Sequence, residues 1–313
     1  MGTVSHDAIN QFKALMDQVE EPLKGAYQNV HQGYHAETLA RFLKAREWNV
    51  IKAHKMLVDC LHWRVQNEID NMLTKPIIPA DLYRAVRDSQ LIGMSGYSRE
   101  GLPVFAHGVG LSTFDKASVH YYVQSHIQIN EYRDRIVLPT ASKKYGRPIT
   151  TCVKVLDMTG LKLSALNQIK VQFSVLETFC FTRRALSLNL VLITWLTFKI
   201  MDAASLPHFC KREGSGSSRH SEYTNENCFS LDHPFHQQLY NYIKQQSLVS
   251  EPTQPIKQGS VHVDLPEPAA EGTEIVKTIE SEMHKLENGN GLSGSLDGLK
   301  INDNSDYRTT HCP

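Results

Sequence analysis

Apolar residues recur at helical spacing through the first third of the chain, then give way to short strand-like runs around one long amphipathic segment. Ile9, Phe12, Leu15, Met16 and Val19 are three or four apart, which predicts a helix over residues 6–20 with one apolar face. A second helical block opens near His35 and carries Leu39, Phe42 and Leu43. Residues 46–49 read as a helix-to-helix turn, and a third helix runs through Ala53, Met56, Leu57, Cys60 and Leu61 to Arg64. Residues 81–92 predict a further short helix, ended by Gly93. Residues 1–93 are therefore expected to form an all-helical module.

The pattern changes after a turn at residues 97–103, where Gly101 and Pro103 mark a tight entry into a strand. An apolar run over 101–108, a helical segment over 115–138 and a second apolar run over 150–157 read as a strand–helix–strand unit. A crossover of that length implies parallel strands and a right-handed connection. Ser112 and Asp115 have the spacing of a helix-capping pair, and Val119, Val123 and Ile127, four apart, are expected to face the sheet. Parallel strands need cover on both faces, so the helices before this unit and the apolar sequence after it are the natural cover.

Residues 185–198 carry no charge and alternate Leu186, Leu188, Leu190 and Leu192 with smaller or polar residues, which predicts a buried strand. Fourteen residues, about 21 Å as a helix, are too few to span a bilayer. Asp232-His-Pro234 reads as a helix start, with Phe235, Leu239, Tyr242 and Ile243 turned inward. The expected organisation is a helical module over 1–93, a second domain over 94–246 and a largely disordered tail over 247–313. Within that tail, Ile275, Ile279, Met283 and Leu286 outline one amphipathic helix over 273–287.

Charge narrows the functional classes. Lys plus Arg and Asp plus Glu both number 33, so no global field favours nucleic acid, and no nucleic-acid partner is expected. Six cysteines, none in a C-x-x-C pair, suit reduced thiols in a cytoplasmic protein. The first twenty residues are polar and helical in pattern, unlike a signal peptide, and neither Gly2 nor Cys312 sits in a lipidation motif.

Catalytic motifs are missing: no G-x-S-x-G, H-E-x-x-H or Walker loop occurs, so no catalytic residue, metal site or cofactor is expected. Gly108-Val-Gly110 follows a strand as a dinucleotide loop would, but Thr113 stands where its third glycine belongs. His107 and His126 read as hydrogen-bonded scaffold residues. Asp157, at a strand's C-terminal end, suits either chemistry or the capping of the next turn. Lys154, on an otherwise apolar strand, implies a partly open face or an anion beside it.

Leu39-Ala-Arg-Phe-Leu-Lys-Ala-Arg46, Trp48 and Trp63-Arg64 resemble the N-terminal helical module of the CRAL-TRIO lipid-transfer family. Gly96-Tyr97, Gly101, Pro103-Val104, Leu138-Pro139 and Val155-Leu-Asp157-Met-Thr-Gly160 resemble its lipid-binding domain. Ala204-Ser-Leu-Pro207 and Asp232-His-Pro234-Phe resemble the end of that domain. The match runs over about residues 35–245 and is similar to plant members of the phosphatidylinositol/phosphatidylcholine transfer (Sec-fourteen-like) type. The resemblance implies an α/β fold in which a mixed sheet flanked by helices floors an apolar cavity for one phospholipid, gated by a mobile helix.

Its implied function is carriage of phosphatidylinositol or phosphatidylcholine between membranes, without enzymatic activity. The ligand is the phospholipid, the other partner is a transient membrane surface, and the protein is a cytoplasmic, peripheral monomer. Strand alternation nominates Val104, Ala106, Tyr122, Thr151, Val153 and Val155 as lipid-binding residues.

Residues 171–198 depart from the family pattern, which resumes at 199–202. No position there matches the residues that hold the lipid headgroup, so these are not carried over. The departure suggests a splice form or a mistaken gene model, an incomplete sheet core with unpaired edges, weakened transfer and a raised aggregation risk. Two other classes remain: a transfer-deficient regulatory scaffold that keeps the fold, and a nucleotide-binding enzyme acting through Gly108 and Gly110.

Overall fold

Phe12 and Met16 of helix α1 (Gly2–Met16) are buried against Phe42 and Leu43 of α3 (His35–Lys44) and Ala53, Leu57 and Leu61 of α4 (Val50–Gln66). Spacings of three and four place these side chains on facing stripes, so one aliphatic core joins the three helices. Asn49 caps α4 by accepting a hydrogen bond from the Lys52 amide at 3.0 Å. Helix α2 (Leu23–His31) packs Ala26 and Tyr27 onto this core. Leu23, Ala26, Tyr27 and Val30 stand three and four apart along it, a helical stripe that the expected elements left out. In this computed structural model the described residues are 2–157, 159–160, 189–191, 202–210 and 227–249.

Helix α5 spans Ala80–Ser89 and stops short of the expected 92. Ile92–Tyr97 is instead strand β1, antiparallel to β2 (Pro103–Gly108). Gly93 is not a helix stop: a Cβ there would lie 1.7 Å from the Cys228 carbonyl oxygen, so glycine serves close backbone approach. Gly96, with φ at 152°, sits at the irregularity in the β1–β2 register, with Ser205 against its Cα.

The crossover unit forms. Strand β2 runs parallel to β3 (Val153–Asp157), with Val104 beside Val153 and Ala106 beside Val155. Between them lie α6 (Val119–Tyr132), a π turn over Arg133–Val137 and α7 (Leu138–Tyr145). The π turn sits just before Pro139, whose missing N–H cannot continue an α-helical ladder.

The helix begins at Val119, not at 115. Ser112 does not cap it; its hydroxyl donates to the Gly108 carbonyl at 2.7 Å. Nor do Val119, Val123 and Ile127 face the sheet. Val119 is 63% exposed, and Ile127 packs with Ile69 and Met72 of a 3-10 turn over Ile69–Thr74. The sheet side of α6 carries Ile129 and Tyr132, which meet Phe105.

Strand β4 (Asn189–Val191) lies parallel to β3 and completes the order β1-β2-β3-β4. It falls inside the stretch expected to be a buried strand; the rest of 171–198 lies outside the described residues. Helix α8 (Pro234–Val249) buries Phe235, Leu239 and Ile243 as expected, with Tyr242 packed beside them, and runs three residues past the expected domain end at 246. The proposed helix over 273–287 lies outside the described residues. The architecture is therefore mixed α/β, a helical N-terminal part followed by a small mixed sheet. Among the described residues no helix is long and apolar enough to cross a membrane.

Candidate functional site

Alternation along β2 and β3 sends Val104, Ala106, Val153 and Val155 to one face of the sheet, and all four are fully buried. Each buried valine is worth about 1.5–3 kcal/mol in water-to-interior transfer. Val104, Val153 and Val155 pack with Leu102, Leu138, Ala141, Ile149 and Leu206 in one aliphatic cluster. Ala106 meets a neighbouring cluster with Cys228 and Phe229. Four of the six nominated lipid-binding residues thus form one continuous apolar surface, much of it covered by the protein's own side chains.

Two of the six stand elsewhere. Thr151 is half-buried and precedes β3. Tyr122 faces α5: its hydroxyl lies 2.7 Å from Ser89 Oγ and accepts from the Lys116 amide at 2.9 Å, while its ring edge meets Phe114. Alternation applies within strands only, and gave no information about a residue on the crossover helix.

The opposite face is polar at its centre. Phe105 pairs with Lys154, and His107 with Leu156. His107, His126 and Lys154 are all buried there. Desolvation, reinforced by the Lys154 charge, holds His107 well below its ordinary pKa and takes His126 down to about 3. Both are neutral imidazoles at neutral pH. Asp157 resolves as a turn cap: its carboxylate accepts from the Thr159 amide at 3.0 Å.

Three amides of the glycine-bearing loop after β2 are already engaged. The Gly110 amide donates to the Asp157 carbonyl, Ser112 to Gly108, and Thr113 to Ser89. A dinucleotide loop needs free amides aimed at a pyrophosphate and a helix starting at once. Neither holds here. Among the described residues no group of acidic, histidine or cysteine side chains is arranged to hold a metal ion.

Three arginines bind the elements together. Arg41 of α3 donates to the Thr150 carbonyl at 2.9 Å, and Arg64 of α4 grips Glu131 of α6. Arg87 of α5 is fully buried. It donates to Ser125 Oγ at 3.2 Å and the Ile92 carbonyl at 3.1 Å, and lies 2.7 Å from His236 Nδ1. The other His236 nitrogen, Nε2, faces the Cys228 carbonyl at 3.0 Å, so the neutral ring accepts from Arg87 and donates to Cys228. Arg41 and Arg64 belong to the motif residues quoted above. Nothing local marks Arg87 or His236, whose partners lie up to 149 residues away.

Beside Arg41 and Arg64, where the helical part meets the start of α7, lies a cavity of about 50 Å³, room for a few waters or one small ion. Its lining mixes polar groups, Thr38, Arg133, Glu131 and Asp134 among them, with apolar ones such as Leu138 and Ile149.

Residues 8–59 match the family described as the CRAL/TRIO N-terminal domain. The chain is 27% identical over 143 residues to phosphatidylinositol/phosphatidylcholine transfer protein SFH9 of Arabidopsis thaliana, covering 44% of this chain and 24% of the relative. It is 29% identical over 135 residues to SFH13 of the same plant, covering 42% and 21%. With the SEC14 cytosolic factor of Eremothecium gossypii it shares 25% over 171 residues, 51% of this chain and 52% of the relative. The matched stretch thus spans only about a quarter of the plant relatives' length and about half of the fungal one.

Proposed function

We propose that this chain, with its CRAL/TRIO N-terminal domain and its similarity to Sec14-type transfer proteins, binds one phospholipid and carries it between membranes. Phosphatidylinositol or phosphatidylcholine is the ligand, in keeping with the names of the plant relatives. The observation that carries this reading is the uninterrupted aliphatic face of β2 and β3, made by Val104, Ala106, Val153 and Val155, beside the matched helical domain. Such a face can exchange protein side chains for acyl methylenes at little net cost. Each methylene hidden from water contributes about 0.8 kcal/mol, much as a bilayer does. Exchange then requires an opening motion at a membrane surface, with no bond made or broken. On this reading the protein works in the cytoplasm, at membrane surfaces, as a monomer.

Native mass spectrometry of the purified protein tests the proposal. One co-purifying phospholipid per chain, exchangeable into acceptor vesicles, is the expected result. A folded, lipid-free monomer that extracts nothing from vesicles overturns it.

One observation favours a second reading. The same aliphatic face is packed by Leu102, Leu138, Ile149 and Leu206 of the chain itself. A protein whose apolar face is satisfied internally suits a scaffold that keeps the fold and binds a partner protein instead. The lipid-free monomer is the outcome that selects it.

A further inference from the structure

The cavity between the helical part and α7 is walled by three arginines whose charges are unequally matched. Arg64 donates to both carboxylate oxygens of Glu131, at 2.9 and 2.7 Å, and pairs with Asp70 as well. Arg133 pairs with its neighbour Asp134, its Nε donating at 2.5 Å. The two carboxylates of the lining are therefore already engaged. Arg41 has no ion-pair partner among the described residues. Its Nη1 donates to the Thr150 carbonyl at 2.9 Å and its Nη2 to Thr38 Oγ1 at 3.2 Å. Its Nε–H is buried without a hydrogen-bond partner.

Two neutral contacts thus hold the guanidinium, which has no ion pair of its own among the described residues, beside a small void. A half-buried cation without an ion pair of its own favours an anion of matching size. The planar fork suits an oxyanion better than a halide, because it offers directed N–H donors. Neutral groups for the remaining oxygens are at hand in Thr38, Asn29 and Gln32, which also line the cavity. Burial lowers the Arg41 pKa to about 10, against the opposing pull of Asp134 and Glu37 and with Arg133 adding to it.

We propose that this cavity binds one phosphate-type oxyanion, with Arg41 as its fixed cation. The volume admits a phosphoryl group, so the ligand is free phosphate or the terminal phosphate of a monoester such as a lipid headgroup. The cavity shares Leu138 and Ile149 with the aliphatic cluster but none of the four strand residues of that face, so the proposal stands whether or not that face takes a lipid.

Thermal unfolding of the full chain in sodium phosphate, against sodium chloride at matched ionic strength, is the first test. Phosphate is expected to raise Tm by about 2–4 °C more than chloride as the site saturates. Arg41→Gln is expected to abolish that difference. Arg41→Lys, which keeps the charge but loses the fork, is expected to weaken phosphate binding at least about tenfold by isothermal titration. Lys13→Gln, an exposed change on α1, should leave both readings unchanged. Equal effects of phosphate and chloride on the unaltered protein overturn the site even if the Arg41 variants fail to fold, and so does a phosphate response that survives in Arg41→Gln.

Sedimentation with phosphatidylcholine vesicles, with and without phosphatidic acid, separates the two sources. Arg41-dependent recruitment that inorganic phosphate competes away assigns the site to a lipid phosphate. Phosphate binding without such recruitment assigns it to the free ion.

Discussion

Arg64 and Glu131 are 67 residues apart in sequence and meet as a two-pronged pair, guanidinium against carboxylate, almost wholly removed from water. The pair joins the last turn of α4 to the crossover helix and so ties the helical part to the sheet. Two parallel charge-assisted bonds fix an angle as well as a distance.

Breaking that pair is expected to be costly. Arg64→Met leaves Glu131 buried without its cation, and the expected loss is about 3–5 kcal/mol in urea unfolding followed by circular dichroism. The double variant Arg64→Met with Glu131→Gln should recover part of it, because the stranded charge is gone. A single-variant loss below about 1 kcal/mol would show that the pair does not hold these elements together.

Gly93 offers a test of the close approach of β1 to the chain before α8. Gly93→Ala places a methyl group against the Cys228 carbonyl, and neither backbone can yield without moving a core element. The expected destabilisation is about 3 kcal/mol. Gly146→Ala is the comparison: nothing lies within 4 Å, and only its φ of 64° is strained, for an expected cost of about 1 kcal/mol. Equal costs at the two positions would contradict the packing described for Gly93.

Acid should weaken the fold through its buried histidines. Desolvation and the nearby Lys154, Arg133 and Arg87 charges hold His126 down at about 3, and desolvation lowers His107 and His236 well below the ordinary histidine value. Unfolded, each would titrate near 6.5, so below that pH the unfolded chain binds protons that the folded chain refuses. The stabilisation is present in full above about pH 7 and is lost as pH falls from there toward 3. The limiting slope is about 1.4 kcal/mol per pH unit for each such histidine. His126→Gln, measured by urea unfolding between pH 7.5 and 5, should show a shallower decline. An unchanged slope would mean that His126 takes up its proton in the folded state.

Thiol labelling reports on the same interior. Cys60 is wholly enclosed, and burial pushes its thiol up to about 12. It should stay unmodified by iodoacetamide at pH 8 in the folded protein and react fully in urea, as read by peptide mass spectrometry. Cys210, half-buried and raised to about 11, should react slowly but sooner than Cys60. Fast modification of Cys60 in buffer would indicate that α4 opens readily.

Sequence alone determined what depends on short-range periodicity. Phe12, Phe42, Leu57 and Leu61 had to be buried, because spacings of three and four leave one face to hide, and they form the helical core. The parallel pairing of β2 and β3 followed from crossover length, and the shared face of Val104, Ala106, Val153 and Val155 from alternation. The motif residues Arg41 and Arg64 were legible as a signature, though not as the hydrogen-bond donors they are.

Tertiary structure decided the rest. Gly93 looks like a helix-breaking signal in one dimension; only the third shows the Cys228 backbone that requires a missing side chain. Ile127 and Ile129 are equally apolar, yet the rotation of α6 sends one to the 3-10 turn and the other to the sheet. Partners such as Arg87 with His236, or Arg41 with Thr150, stand more than 100 residues apart, and no local pattern encodes a hydrogen bond over that distance. Periodicity fixes which face a residue takes within its own element, while packing decides what that face meets.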